Sequence, residues 1–310
     1  MNRVCELLNI EYPIFQGSMA GVAEAPLAGA VSEAGGLGVI ATAGRKGDWL
    51  REQIKAVREI TDKTFAVNLM LMSHNTEEIM EVIIDEGIKV VTTGAGNAAP
   101  LIAPLHEAGI KVVPVVANAR QAKKMEDAGA DAVVCEGTEA GGHVGEVTTM
   151  PLARAVIAAV DIPVIIAGGI SDGHGLAAAF ALGGEGVQLG TVFCASEEAP
   201  IAQGYKKAIV NCGLTDTVVV GRSIGAPVRL IQNDMVAKLQ EEIDNGSTRD
   251  EFEKSNLQML LTAITKGDTE KGIVTIGQVA GNITEIRPVK EIINSIVEEA
   301  REALKNMPSL

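Results

Sequence analysis

The chain has 310 residues, 47% of them hydrophobic, with 34 Gly, only 3% aromatic side chains and a net charge of −14. That length carries one large α/β domain or two smaller ones, and a Val, Ile, Ala and Leu interior suits parallel sheets buried on both faces. The negative balance argues against nucleic acid or an anionic membrane as partner, since neither would meet a broad basic face. Cys5, Cys135, Cys194 and Cys212 lie far apart with no CxxC pair. Structural zinc and a disulfide framework are therefore not expected, and no metal ligands are predicted. The stretch from Met1 to Gln16 has no apolar signal core, and no run approaches membrane-spanning length. The expectation is a cytoplasmic protein.

In chain order, Pro13 to Gly17 reads as a short strand that opens into the loop Ser18 to Gly21. A helix follows with Leu27, Ala30, Val31 and Ala34 on one face, and Gly35-Gly36 stops it. Leu37 to Ile40 is the second strand. Asp48 is placed to cap the next helix, where Leu50, Ile54, Val57 and Ile60 recur at helical spacing. Phe65 to Leu71 is a third strand, apolar except for Asn68. A buried amide there needs partners, either in a neighbouring loop or in a ligand at the strand end. Asn75 and Glu78 have the spacing of a capping box.

A phrase then repeats. Asp85 to Val91 is echoed by Glu107 to Val113 and again by Asp127 to Val134, each reading as helix end, glycine cap and buried strand. The capping glycines Gly87, Gly109 and Gly129 fall about 20 residues apart, the length of a compact strand–helix unit. Asn118 and Gln121 form another capping pair. Val164 to Ile166 and Gly186 to Leu189 continue the alternation. The count is eight strands, beginning near Pro13, Leu37, Phe65, Ile88, Lys111, Asp131, Val164 and Gly186. Eight alternating units predict an α/β fold, a closed TIM (β/α)8 barrel. An open doubly wound sheet is the alternative, but Gly17-Ser-Met-Ala-Gly21 does not match the dinucleotide fingerprint.

After Val192 the short-strand rhythm stops. Helical stretches at Asp234 to Ile243 and Glu251 to Ile264 suggest a helical lid that binds substrate. A final amphipathic helix carries Val289, Ile292, Ile293, Ile296, Val297, Ala300 and Leu304 on one stripe, with Pro288 suited to its first turn. The expected organisation is a barrel over 1–196, a lid over 197–284 and a C-terminal helix over 285–310 that packs back on the barrel.

In such barrels the active site lies at the C-terminal ends of the strands. That places Met19, Asn68, Thr92 to Gly94 and Glu136 around one mouth. The loop Glu136-Gly-Thr-Glu-Ala-Gly-Gly-His143 is the centre of interest: a buried strand releases a glycine-rich loop that carries a carboxylate and an imidazole. Glycine loops follow strands seven and eight, at Ala167-Gly-Gly-Ile170 and Gly190-Thr191. Exposed backbone N–H groups at these two loops favour a phosphate. Cys135 reads as a buried strand residue.

The run Ala167 to Gly173, followed by Ala181 to Thr191, resembles the FMN-phosphate site shared by several flavin barrels and by IMP dehydrogenase. Together with Tyr12 to Met19 and Glu139 to His143, the pattern resembles the nitronate monooxygenase (2-nitropropane dioxygenase-like) family. Within it, Val90 to Asn97 and Glu136 to Gly145 look most similar to the FMN-dependent enoyl-acyl-carrier-protein reductase type. The likeness runs from about residue 5 to 200 and resumes at Gly277 to Gly281; Ser18 stands where the family pattern has a second glycine.

The resemblance implies FMN as cofactor, NADH or NADPH as reductant, and a monovalent cation as a candidate ligand of the loop near Thr92. It assigns Met19, Asn68 and Glu136 to the flavin ring or ribityl chain, Gly168, Gly169, Gly190 and Thr191 to its phosphate, Gly17, Ser18, Gly142, Ile170 and Gln188 to the cofactor as a whole, and His143 to catalysis. The implied reaction reduces the trans-2 double bond of an enoyl thioester on acyl carrier protein, and a homodimer is implied as well. Because the carrier is itself acidic, docking would need a local basic patch. Lys206, Lys207, Arg222 and Arg229 near the barrel–lid junction are the candidates. The runner-up is a nitronate monooxygenase with the same fold, FMN and histidine but O2 as oxidant. An IMP-dehydrogenase-like barrel would need a mobile cysteine nucleophile, and a non-catalytic phosphate-binding module would bind no flavin.

Overall fold

The computed structural model describes residues 2–308. Its strands, in chain order, are β1 (Ile14–Gln16), β2 (Gly38–Ala41), β3 (Phe65–Met70), β4 (Val90–Gly94), β5 (Lys111–Val116), β6 (Val133–Glu136), β7 (Gly142–His143), β8 (Val164–Ala167), β9 (Gly186–Leu189), β10 (Thr217–Val220) and β11 (Val228–Ile231). Eight of them form one parallel sheet in the order β1-β9-β8-β6-β5-β4-β3-β2. The ring is drawn together between β1 and β2: Leu37 N–H donates to Ile14 O and Gln16 N–H to Leu37 O, both at 2.9 Å. This is the (β/α)8 barrel that the repeat predicted, with every strand starting within two residues of its expected position.

Strand periodicity divides the apolar residues into two sets. Phe15, Val39, Ala66, Val90, Val113, Val134 and Ile165 pack together inside the barrel, and Val4 and Leu8 of the helix Arg3–Leu8 join that cluster. Ile14, Ile40, Val67, Val91, Val112, Val133, Ile166 and Val187 belong to the larger core shared with the surrounding helices. Continuing the inner set by two residues along each strand brings Asn68, Thr92 and Glu136 to the interior at the C-terminal end. The register pairs Asn68 with Thr92, and Glu136 with Ala167, which in turn pairs with Gln188. The sheet thus delivers a polar ring to the mouth of an apolar cylinder.

Two local expectations are corrected. Asp48 lies inside the helix Gly47–Ile60, whose cap residue Lys46 supplies no side-chain bond. Asn75 precedes the helix Thr76–Asp85, but no capping box forms. Instead, Glu78 reaches across to accept from Gly47 N–H at 2.6 Å, and Asn75 Nδ2 donates to Arg45 O at 2.6 Å. Tertiary partners therefore replace the local ones. At Asn118 the local cap does form, with its side chain accepting from Gln121 N–H at 2.9 Å. The repeat glycines Gly87, Gly109 and Gly129 take φ of 64°, 73° and 98°, as left-handed helix ends require.

At the opposite end of the barrel from the mouth, Asp131 gathers three donors. They are Lys111 Nζ at 2.9 Å, Val112 N–H at 2.9 Å and His106 Nε2 at 2.8 Å. Burial works to raise its carboxyl, but these partners hold it below the ordinary carboxylate range. Its stabilising effect is therefore complete above the unfolded carboxylate range and disappears as pH falls through the folded value. Asp131→Ala is expected to cost roughly 2 kcal/mol at neutral pH and little in acid, read from urea unfolding.

The segment after the barrel is not helical throughout. β10 and β11 form an antiparallel pair, and β11 then pairs with β7 from the loop that follows β6. The helices Asp234–Asp244 and Arg249–Lys266 cover this small sheet. Val220, Val228, Leu230, Val236, Leu239, Phe252 and Ile273 form its separate apolar core. The last helix, Val289–Lys305, buries Ile292, Ile293, Ile296 and Ala300 and lies against the helix Gly173–Ala181, where Glu299 accepts from Gly173 N–H at 3.0 Å. Leu304 escapes this face and is exposed. No helix among the described residues is long and apolar enough to cross a membrane.

Candidate active site

One cavity opens at the C-terminal mouth. Gly17, Ser18 and Met19 line it from the loop after β1, Glu136 from β6, and Gly168, Gly169 and Ile170 from the loop after β8. Gln188, Gly190 and Thr191 complete that wall. The structure thus brings together all the residues expected at a cofactor except Asn68 and Gly142. Asn68 is buried within the barrel, where its Nδ2 donates to Thr92 Oγ1 at 2.9 Å. Gly142 pairs with Arg229 in the small sheet. His143 also stands apart from this cavity: its imidazole is half exposed, with Nε2 2.8 Å from Glu253 Oε1.

The phosphate-type loops have the construction an anion needs. Gly168 and Gly169 take φ of 97° and 73°, conformations that a side chain resists. Among the described residues, the N–H groups of Gly169 and Ile170 find no acceptor in the chain. Open backbone donors in a glycine cradle form an anion nest.

Glu139 lies inside the glycine-rich motif, and the structure gives it a role. Its carboxylate accepts from Thr149 N–H at 2.9 and 3.1 Å, at the start of the helix Thr149–Ile157. Thr149 Oγ1 lies 2.9 Å from Glu139 Oε2 and 3.0 Å from Gly168 O, so its single proton serves two acceptors. Glu139 therefore ties the loop after β6 to the loop after β8. From the far end of the chain, Gln278 N–H donates to Glu139 O and Gly277 N–H to Thr191 Oγ1, both at 2.9 Å. This docking accounts for the return of the sequence likeness at Gly277 to Gly281. It also requires Gly141, where an added Cβ would lie 2.4 Å from the carbonyl carbon of Ile276.

Charge and burial correct part of the docking patch. Lys206 is only 2% exposed and donates to Glu197 O at 3.0 Å. Arg229 is 6% exposed, with Nε and Nη2 on Thr138 O. Burial lowers the pKa of both. They brace the barrel and the central loop and cannot meet a partner; Lys207 and Arg222 stay exposed. Cys135 is fully buried, and burial pushes its thiol up to about 12, which leaves it inert as a nucleophile. In the mouth itself, burial pushes the Glu136 carboxyl up to about 7, opposed by the nearby His143.

The fold and this mouth define a (β/α)8-barrel protein with a glycine-built anion cradle and a lid-bound histidine. The chain belongs to the nitronate monooxygenase family, whose profile matches residues 1–299. It is similar to the solved structure of FabK from Thermotoga maritima, at 47% identity and a TM-score of 0.95, over 98% of this chain and 97% of that one. A nitroalkane oxidase from Streptomyces ansochromogenes is 27% identical with a TM-score of 0.87, over 97% and 99% of the two chains. A relative from Mycobacterium tuberculosis is 35% identical over 98% of this chain and 97% of its own length; it bears the name (3aS,4S,5R,7aS)-5-hydroxy-7a-methyl-1-oxo-octahydro-1H-indene-4-carboxyl-CoA dehydrogenase.

Proposed function

We propose that this chain is an FMN-dependent enoyl-acyl-carrier-protein reductase that uses NADH or NADPH, performing the last step of a bacterial-type fatty acid elongation cycle. The observation that carries the reading is the glycine cradle of Gly168, Gly169 and Gly190 beside Met19 and Glu136 in one cavity. Its open N–H groups fit a phosphate. The likeness to FabK at 47% identity supports the reductase rather than the oxidase reading. A carboxyl-CoA dehydrogenase among the relatives is compatible with thioester substrates.

Gly168, Gly169, Ile170, Gly190 and Thr191 would hold the FMN phosphate, with Gly17, Ser18, Met19, Glu136 and Gln188 along the remainder of the group. When bound, FMN would supply hydride taken from NAD(P)H. The chain's own task is to hold the enoyl β-carbon over the ring and to provide for the charge that grows on the thioester oxygen. His143 would donate the proton that the α-carbon gains. A monovalent cation at the loop near Thr92 belongs to the same proposal.

The second reading is a nitronate monooxygenase, favoured by the family profile and by the nitroalkane oxidase likeness. An anaerobic stopped-flow experiment separates the two. The flavin-loaded protein is reduced with NADH or NADPH and then mixed with crotonyl-CoA or an enoyl carrier-protein thioester. Return of the oxidised flavin spectrum only when the thioester is present is the expected result. No reduction by either nicotinamide, with flavin reduction by a nitronate, would replace the reductase with the monooxygenase.

A further inference from the structure

We propose that Glu253 is the positioning residue for His143, so that the proton-handling group is completed by the lid. The inference rests on the reading above that His143 delivers a proton.

Two parts of the chain meet here that lie 110 residues apart in sequence. The backbone of His143 is fixed by pairing with Val228 in β11, and Val144 N–H donates to Pro227 O at 3.1 Å. That leaves the side chain free to rotate, because the imidazole is 48% exposed. Glu253 supplies the missing restraint, with Oε1 at 2.8 Å from Nε2. Among the described residues the ring has no other polar partner.

The helix that carries the carboxylate is well anchored. Glu253 stands on the first turns of the helix Arg249–Lys266, which opens with a capping box between Thr248 and Glu251. Its sequence neighbour Phe252 is fully buried in the lid core. The same helix reaches Met72 in the loop after β3 through Arg249 Nη2, at 3.7 Å. Further along, it sets Ile264 beside Gly21 in the loop after β1. It therefore spans the mouth, and Glu253 is its contact with the loop after β6.

A carboxylate accepts but does not donate. Glu253 thus holds the Nε2–H and turns Nδ1 toward substrate; the doubly protonated ring gives up its Nδ1–H proton, and the neutral Nε2–H tautomer is what remains until solvent reprotonates it. An exposed ion pair adds little stability. What Glu253 contributes is direction, and that direction exists only with the lid helix in place.

A double-mutant cycle on the flavin-loaded enzyme tests this, with crotonyl-CoA as oxidant of the reduced flavin. Glu253→Ala is expected to slow reoxidation roughly tenfold, the usual cost of removing an orienting partner. Reduction by NAD(P)H should stay near the parent rate. In a His143→Ala background the same change should add nothing, since the two residues act as a unit. Nitrogen NMR of histidine-labelled enzyme gives a readout apart from turnover: one Nε2–H tautomer in the parent and a mixture in Glu253→Ala. Additive losses, or an unchanged tautomer, would overturn the proposal. A slow His143→Ala with a parental Glu253→Ala would remove Glu253 alone. A parental His143→Ala would remove the histidine's role and this inference with it.

Discussion

His143→Ala is expected to leave FMN bound and reducible by NAD(P)H, and to slow its reoxidation by an enoyl thioester about a hundredfold, the lower range for loss of a positioned acid. The two halves of the cycle separate because of where the groups stand. The proposed phosphate cradle is built by the loops after β8 and β9 and braced by Glu139 and Thr149. His143 belongs to the small sheet with β11 and has no bond to that cradle. Removing its ring therefore leaves the cavity walls standing. Single-turnover absorbance at the flavin band, first with nicotinamide and then with thioester, reads the two halves independently. A variant slowed equally in both would mean that the ring shapes the cavity, and a variant slowed in neither would take the histidine out of the chemistry.

The barrel was legible in the sequence because its signals are periodic and local. Gly87, Gly109 and Gly129 announced three successive helix ends, and each did take the left-handed conformation. Positions at the ends of the expected strands then placed Asn68, Thr92 and Glu136 around one mouth, and the inward facing of their side chains came only with the structure. What escaped was non-local. Glu253 carries no mark in its own helix; its meaning comes from His143 across the mouth. β10 and β11 escaped because they lie outside the strand–helix repeat and pair antiparallel with each other, and the partner strand β7 is a two-residue piece of a glycine loop. Lys206 and Arg229 read as solvated charge, since sequence does not tell a surface cation from one spent on a buried carbonyl. Glu139 sat inside the recognised motif, yet its tie to Thr149 became visible only once β8 lay beside β6.

Glu136→Gln should change how stability responds to pH more than any other substitution in the mouth. Burial moves the Glu136 carboxyl from an ordinary 4.5 up to about 7. Between those values the folded protein keeps a proton that the unfolded chain has released, so stability is greatest in acid and falls as pH rises through the folded value. An upward shift of this size corresponds to roughly 3 kcal/mol lost on the alkaline side. Glutamine has nearly the same shape and nothing to ionise. The flavin-free variant should therefore match the parent in mild acid and exceed it by about 2–3 kcal/mol in mild base, measured by urea unfolding across pH. Parallel profiles would show that the carboxyl is solvated in the mouth. His143 opposes the burial effect at Glu136. Removing that ring should push the carboxyl further up and steepen the alkaline loss, so His143→Ala and Glu136→Gln are expected to move the pH profile in opposite directions.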